Sequence, residues 1–244
     1  NVTATTDFFG TCGLDVNDKA VWYTITNGPD ARDIEILTDY ISGSSFNPYV
    51  SVFAGTCGQP NLTCEQQTIS ITVPGGGYTN YFDAAANTTY YIAVYDESGD
   101  VGDFTIQVYG QPGNDECADA VSLTPPTVGG AASSATSYTY ASNVDPDAGC
   151  NTGTEYGGVW YKFTAGATAT YTASTLNTLN SIFDTRLTVF EGACGTLTCV
   201  ATNNDYVGRL SELNWYGTSG TEYYILVDGQ FNSSSTQRRG IFTL

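Results

Sequence analysis

The sequence predicts an all-β protein: two tandem antiparallel β-sandwich domains, jelly-roll-like or immunoglobulin-like, that arose by internal duplication. Three observations carry that prediction. Short apolar or alternating segments recur between clusters of Gly, Asn, Asp and Pro, the signature of strands and tight turns. Four such blocks return in the same order in the second half of the chain. No segment carries the apolar stripe of an amphipathic helix.

The first block, Val21-Trp22-Tyr23-Thr24, returns as Val159-Trp160-Tyr161-Lys162. Val52-Phe53-Ala54-Gly55-Thr56-Cys57 returns as Val189-Phe190-Glu191-Gly192-Ala193-Cys194. Thr89-Tyr90-Tyr91-Ile92-Ala93-Val94 matches Glu222-Tyr223-Tyr224-Ile225-Leu226-Val227, and Asp103-Phe104-Thr105-Ile106 is echoed by Ile241-Phe242-Thr243-Leu244. Chance does not hold four blocks in order, so each is read as a strand of a repeated unit. Residues 49–53 and 186–190 alternate as half-buried strands do, and Trp22 and Trp160 are expected to anchor the core. Gly75-Gly76-Gly77 marks a turn in the first repeat. Gln111-Pro112-Gly113-Asn114 is a breaker stretch that divides the chain into domains 1–110 and 114–244. In the second domain Thr124-Pro125-Pro126-Thr127 and Gly129-Gly130 read as loops or strand ends.

Charge narrows the partners. With 25 acidic residues against 7 basic ones, the net charge of -18 repels phosphate backbones, so no nucleic acid is expected. No run of about 18 apolar residues occurs, so no membrane span is expected. The chain opens at Asn1-Val2-Thr3 with no leader pattern, which implies that any leader has been removed. Seven cysteines without a C-x-x-C pair, in a chain that has no histidine, fit an oxidising compartment better than a zinc site. Sequons at Asn1, Asn61, Asn87 and Asn232 agree with secretion and offer glycosylation sites. The expected location is extracellular, secreted or at the cell surface.

Local spacing suggests disulfide clips at Cys57–Cys64 and Cys194–Cys199, with Cys117 paired to Cys150. Cys12 is then left over, either unpaired, bonded between chains, or competing for Cys117. Asn1 aligns near Thr139, so nothing in the first repeat matches residues from about 114 to 138. The first domain is therefore expected to lack its first strand. A sandwich short of an edge strand templates strand addition from a neighbour, and head-to-tail addition builds a filament of copies of the same chain. The alternating Val2, Ala4, Thr6 and Phe8 are the candidate donor strand.

Asn114-Asp115-Glu116-Cys117-Ala118-Asp119-Ala120, Gly158-Val159-Trp160-Tyr161-Lys162-Phe163, Phe183-Asp184-Thr185-Arg186-Leu187-Thr188-Val189-Phe190-Glu191-Gly192, Asn203-Asn204-Asp205 and Thr221-Glu222-Tyr223-Tyr224-Ile225-Leu226-Val227-Asp228-Gly229 resemble the bacterial pre-peptidase C-terminal domain family. The resemblance covers the second domain nearly end to end and implies an extracellular jelly-roll-like sandwich appended to secreted enzymes and surface proteins. The first domain departs from it, with Asn47-Pro48 in place of Asp184-Thr185 and Cys64-Glu65-Gln66-Gln67 in place of the Asn-Asn-Asp run. On the same pattern Asp184, Asn204 and Asp205 lie on loops at one end of the sandwich, where their hard oxygens suit Ca²⁺; Asx-turn bonding explains them equally.

A Ser or Cys triad needs a base such as imidazole, and the chain has none, so no enzyme is expected. Asp184, Asp205 and Glu212 could form a glycosidase-like pair, but acidic residues at turns are common. No other cofactor is expected. The functional expectation is a glycosylated extracellular structural protein, a protomer of a fibre or matrix. The alternative is a carbohydrate-binding or adhesion accessory module, in which some of the 18 tyrosines, Tyr78, Tyr81, Tyr138, Tyr140, Tyr206 and Tyr216 among them, meet a polysaccharide.

Overall fold

Alternating segments become strands in both halves of the chain. The structure, a computed structural model, describes residues 5–6, 12–14, 19–40, 45–55, 62–67, 72–73, 77–124, 136–143, 150, 157–178, 183–230 and 239–244. It is all-β, with no α-helix among the described residues and one 3₁₀ turn at Cys117–Asp119. The chain divides into unit 1, Asn1–Gly110, and unit 2, Gln111–Leu244.

Unit 1 contains β1 (Thr5–Thr6), β2 (Lys19–Thr26), β3 (Arg32–Tyr40), β4 (Tyr49–Gly55), β5 (Leu62–Gln67), β6 (Thr72–Val73), β7 (Gly77–Ala84), β8 (Thr89–Tyr95) and β9 (Phe104–Gly110). One sheet runs β1-β2-β8-β4-β5 and the other β6-β7-β3-β9. Period-two alternation sends Val50, Val52, Ile92 and Val94 from the first sheet, and Ile34, Ile36, Phe82 and Ala84 from the second, into one core. Tyr90 closes the β7–β8 hairpin by accepting a hydrogen bond from the Ala85 N–H at 2.7 Å.

Unit 2 contains β10 (Val121–Ser122), β11 (Thr136–Tyr138), β12 (Val159–Thr164), β13 (Ala169–Ser174), β14 (Thr185–Glu191), β15 (Thr198–Asn204), β16 (Glu212–Gly217), β17 (Glu222–Gly229) and β18 (Ile241–Thr243). Its five-stranded sheet runs β10-β12-β17-β14-β15, and β13-β16 and β11-β18 form two further antiparallel pairs. The Thr243 N–H donates to Thr178 Oγ1 at 2.9 Å beside β18. Val159, Tyr161, Leu187, Val189, Ile225 and Val227 meet Tyr171, Leu213, Trp215 and Phe242 in the core.

The two five-stranded sheets share their register. Val21 lies opposite Val94 as Val159 lies opposite Val227, and Val50 opposite Val94 as Leu187 opposite Val227. Each breaks register at the same place, between Val52 and Phe53 in β4 and between Val189 and Phe190 in β14. Their edges differ: β1 is antiparallel to β2, whereas β10 is parallel to β12.

Both five-stranded sheets are covered on both faces. On the outer face of unit 1, Cys12, Leu14, Phe53, Ala93 and Tyr95 form a second cluster with Trp22; in unit 2 Ala120, Cys150, Trp160, Phe190, Tyr224 and Leu226 do the same. Trp22 and Trp160 therefore anchor these outer clusters, and Trp215 is the tryptophan of the inter-sheet core. Trp22 packs on Phe53 and Trp160 on Phe190, each with centroids 5.5 Å apart. Parity explains the correction: Tyr23 and Tyr161 point inward, so their neighbours point out.

The same geometry overturns the local cysteine clips. The bonds are Cys12–Cys64, Cys117–Cys194 and Cys150–Cys199. Cys64 stands opposite Phe53, and Cys199 opposite Phe190, so both thiols rise from the outer face where Cys12 and Cys150 cross it. Cys12 is not left over, Cys194 does not bond Cys199, and Cys117 bonds Cys194 instead of Cys150. Each bond straps an incoming segment onto the outer face and closes a loop of 49 to 77 residues. Chain-entropy arithmetic gives about 4 kcal/mol for each such loop. Cys57 lies outside the described residues.

One polar group is misplaced in the core of unit 1. Asn80 faces inward opposite Ile36, is 2% exposed, and neither amide atom has a hydrogen-bond partner. The matching position in unit 2 is Leu213, opposite Ala173. Asn80→Leu keeps the shape and removes the desolvation penalty, so it should stabilise unit 1 by about 1–3 kcal/mol. Slower amide exchange in β3 and β7 would report the gain.

Candidate functional site

The side of each sandwich where β2 meets β9, and β12 meets β18, is built from matching residues finished in different ways. In unit 2, Tyr161 and Phe242 pack edge to face with centroids 6.3 Å apart, and both are buried. In unit 1, Tyr23 and Phe104 repeat the pairing at 6.5 Å, but both are only partly buried. Ile25 and Ile106 beside them are likewise partly covered, and Val108 at the end of the row is 39% exposed. Phe163, the counterpart of Ile25, is buried.

Residues 114–124 and 136–143 contribute to the difference. Asn114 brackets Trp160, its carbonyl accepting the Trp160 N–H and its Nδ2 donating to the Trp160 carbonyl, both at 2.8 Å. β10 pairs along Tyr161 and Lys162, and the Leu123 N–H donates to the Lys162 carbonyl at 2.7 Å. β11 then ladders onto β18. Ser137 and Asn114 hydrogen-bond the Tyr161 hydroxyl, whose titration is pushed up by burial. Asp115 pins the segment by accepting the Asn143 N–H at 2.8 Å and a hydrogen bond from Gln111 Nε2 at 2.6 Å; burial raises its pKa from the ordinary carboxylate value.

Unit 1 has no such segment among the described residues. β1 takes part of the free edge, pairing Thr5 with Ala20 and Thr6 with Lys19. Of the donor-strand candidates, Thr6 therefore lies in its own unit, on the first two residues of β2; Val2, Ala4 and Phe8 lie outside the described residues. The stretch of β2 that corresponds to the β10 contact is Tyr23–Thr24, farther along the strand. Among the described residues, no strand pairs there or on the far edge of β9. Among the described residues, unit 1 thus has a seam lined by Tyr23, Ile25, Phe104, Ile106 and Val108, with β1 at one end and no further strand along it.

Arg186 pairs with Asn204, so Asp184, Asn204 and Asp205 come to the same end of the β14–β15 ladder. Asp184 is fully buried at the start of β14, where its carbonyl accepts the Gln230 N–H at 3.0 Å. Asn204 ends β15 and donates to exposed Asp205 Oδ2 at 2.9 Å; Asp205 has φ +63°. No group of three Asp, Glu or Cys side chains able to hold a metal forms among the described residues. Asn87 is exposed at the β7–β8 turn with φ +52°, an accessible sequon; Asn1, Asn61 and Asn232 lie outside the described residues. Tyr206 and Tyr216 are 53% and 71% exposed, Tyr81 borders on exposed, Tyr138 and Tyr140 are half-buried, and Tyr78 is buried on Tyr49. No helix is long and apolar enough to cross a membrane among the described residues.

One charged pair escaped the sequence reading. Arg186 and Asp228 lie opposite each other in β14 and β17, both buried, with Arg186 Nε donating to Asp228 Oδ1 at 2.9 Å and Nη2 donating to Oδ2. Unit 1 places Tyr49 against Tyr95 at this position, centroids 6.0 Å apart. Matching the repeats residue by residue exposes the exchange.

No protein-family model matches the chain, and no curated protein matches it either. The likeness to pre-peptidase C-terminal domains thus remains a resemblance. Among solved structures, the tandem CBM22-1-CBM22-2 domain of Xyn10C from Paenibacillus barcinonensis aligns over 90% of this chain and 80% of its own, at 8% identity and a TM-score of 0.25. The ANXUR2 extracellular domain from Arabidopsis thaliana aligns over 99% and 86%, at 11% identity and a TM-score of 0.24. Likenesses this low carry no argument about the fold or the function of the chain.

Proposed function

We propose that this chain is an extracellular, glycosylated structural protein, a protomer of a fibre or matrix in which a neighbouring subunit adds a β-strand to unit 1. The observation that carries the reading is the open seam. Tyr23, Ile25, Phe104 and Ile106 are half-covered where unit 2 buries Tyr161, Phe163 and Phe242, with β10, Leu123 and β11 alongside. Unpaired strand edges flanked by apolar side chains are the general substrate for strand addition. Three disulfides fit an oxidising, extracellular setting, and the shared register of the two sheets favours internal duplication.

Negative-stain microscopy of the native, non-reduced material tests the reading. Regular filaments are expected, and isolated two-lobed particles at every concentration would sink it. Asn87→Gln should lower the mass by one glycan when the protein is secreted from a glycosylating host. A second reading, a carbohydrate-binding or adhesion module, is favoured by Tyr216 and Tyr206, which expose ring surface suited to stacking on sugars. Affinity of the isolated monomer for polysaccharide, lost in Tyr216→Ala, would support it.

A further inference from the structure

We infer that the outer face of the β13–β16 pair in unit 2 binds an uncharged polysaccharide, with Tyr216 as the stacking ring and Thr170, Thr172 and Asn214 as its hydrogen-bonding groups. This rests on the carbohydrate-binding reading and names its site and ligand class. In β16, Leu213, Trp215 and Gly217 are buried, so period two turns Asn214 and Tyr216 outward; in β13, Tyr171 and Ala173 are buried and Thr170 and Thr172 face out. Register puts Thr170 opposite Tyr216 and Thr172 opposite Asn214, so the four side chains make two adjacent rows on one face. Tyr216, at 71% exposed, is the most open aromatic side chain among the described residues. The Thr172 hydroxyl donates to Asn214 Oδ1 at 2.6 Å, which orients the amide and leaves its Nδ2 donor and the Thr172 lone pairs for a ligand.

Charge selects the ligand. Neither row contains an ionisable carboxylate or a cation, although the chain carries a net charge of -18. A charged protein partner finds no counter-charge there, and an apolar partner finds a single ring. A neutral sugar chain offers what the face can use: C–H-lined ring faces for Tyr216 and hydroxyls that both donate and accept. A third row, Ser174 opposite Glu212, ends the face with a carboxylate that accepts hydroxyl donors and repels anionic sugars. Three rows at two residues apiece span about 14 Å, room for a short stretch of chain. Unit 1 carries different chemistry at the matching positions. Asn80 opposite Ile36 corresponds to Leu213 opposite Ala173; one residue on, Tyr81 faces Glu35 where Asn214 faces Thr172, and Asp83 faces Asp33 where Tyr216 faces Thr170. The Tyr81 hydroxyl is committed to Glu35 Oε1 at 2.9 Å, and the aspartates hold hydration that a neutral sugar would have to strip. Binding is therefore assigned to unit 2 alone.

Affinity electrophoresis of the full chain through gels containing mannan, soluble starch or a mixed-linkage β-glucan, with alginate as the anionic polymer, is the test. At least one neutral polymer should retard the protein, and alginate should not. Tyr216→Ala should weaken the retardation about tenfold, the factor that 1.4 kcal/mol supplies, and Tyr216→Phe should stay within about twofold of the parent. Thr172→Val combined with Asn214→Ala should weaken it as well, and Tyr81→Ala in unit 1 should leave it unchanged. All of these side chains except Thr172 and Asn214 lack a packing role in the core, and circular dichroism of each variant confirms its fold. Slowed amide exchange confined to β13 and β16 in the presence of the retarding polymer would locate the contact. Retardation that survives Tyr216→Ala, or protection elsewhere, would overturn this site and leave the carbohydrate-binding reading standing. Retardation by alginate equal to that by the neutral polymers would overturn the ligand class. No retardation by any neutral polymer would overturn the site and that reading together.

Discussion

Replacing Arg186 with methionine should destabilise unit 2 by about 3–5 kcal/mol at neutral pH, the range for breaking a buried ion pair from one side. Arg186 gives two hydrogen bonds to Asp228 and a third, at 3.1 Å, to Gln230 Oε1. Asp228 is 1% exposed, so without the guanidinium its carboxylate is left charged in a buried site, with Leu226 and Thr188 next along the same face, or must take up a proton. The double variant Arg186→Tyr with Asp228→Tyr installs the aromatic pair of unit 1 and should lie closer to the parent than Arg186→Met does. Hydrogen exchange resolved to β14 and β17 measures both, because the two units need not unfold together.

The same pair sets a pH dependence. Burial pushes Asp228 up to about 6, against the pull of the Arg186 guanidinium. A carboxyl whose folded value exceeds its unfolded 3.8 holds its proton more tightly in the folded state. That contribution is complete below about pH 4 and is lost as pH rises through 6, an expected decline of about 3 kcal/mol in unit 2 over the window. Asp228→Asn should flatten the decline. Denaturation of the parent and the variant between pH 4 and 7 provides the comparison, and a parent curve that rises with pH through this window would contradict the assignment.

The strands were readable because tight turns and period-two alternation are local properties. The rest depended on which face of a sheet another segment crosses. All of residues 185–190 are buried, so β14 has no exposed face for alternation to reveal. Its outer side is covered by Ala120 and Cys150, which are distant in sequence. For the same reason spacing suggested hairpin clips: Cys194 and Cys199 are near neighbours in the chain, but Cys199 stands on the outer face and reaches Cys150. The seam was legible in the sequence as the stretch 114–138 that finds no match within residues 1–110. Its lining was not, because Tyr23 and Phe104 read as ordinary strand residues until their burial is set beside that of Tyr161 and Phe242.

That comparison gives the second large effect. Phe242→Ala should cost unit 2 about 3–5 kcal/mol, as for other fully buried aromatics. Its ring is 0% exposed and touches Tyr161 and Phe183, so truncation leaves a void that the strapped sheets cannot collapse into. Phe104→Ala removes the same ring from the matching place in unit 1, against Tyr23 and Phe46. Because Phe104 is already partly in water, its loss should cost only about 1–2 kcal/mol in the isolated protein. With the seam occupied, Phe104 becomes a buried residue like Phe242, and the two penalties should converge. Unfolding of β8 and β17, followed separately in the isolated protein and in assembled material, would show it. A Phe104 penalty already as large as that of Phe242 in the free protein would mean that unit 1 closes its side unaided, and the acceptor reading would fall with it.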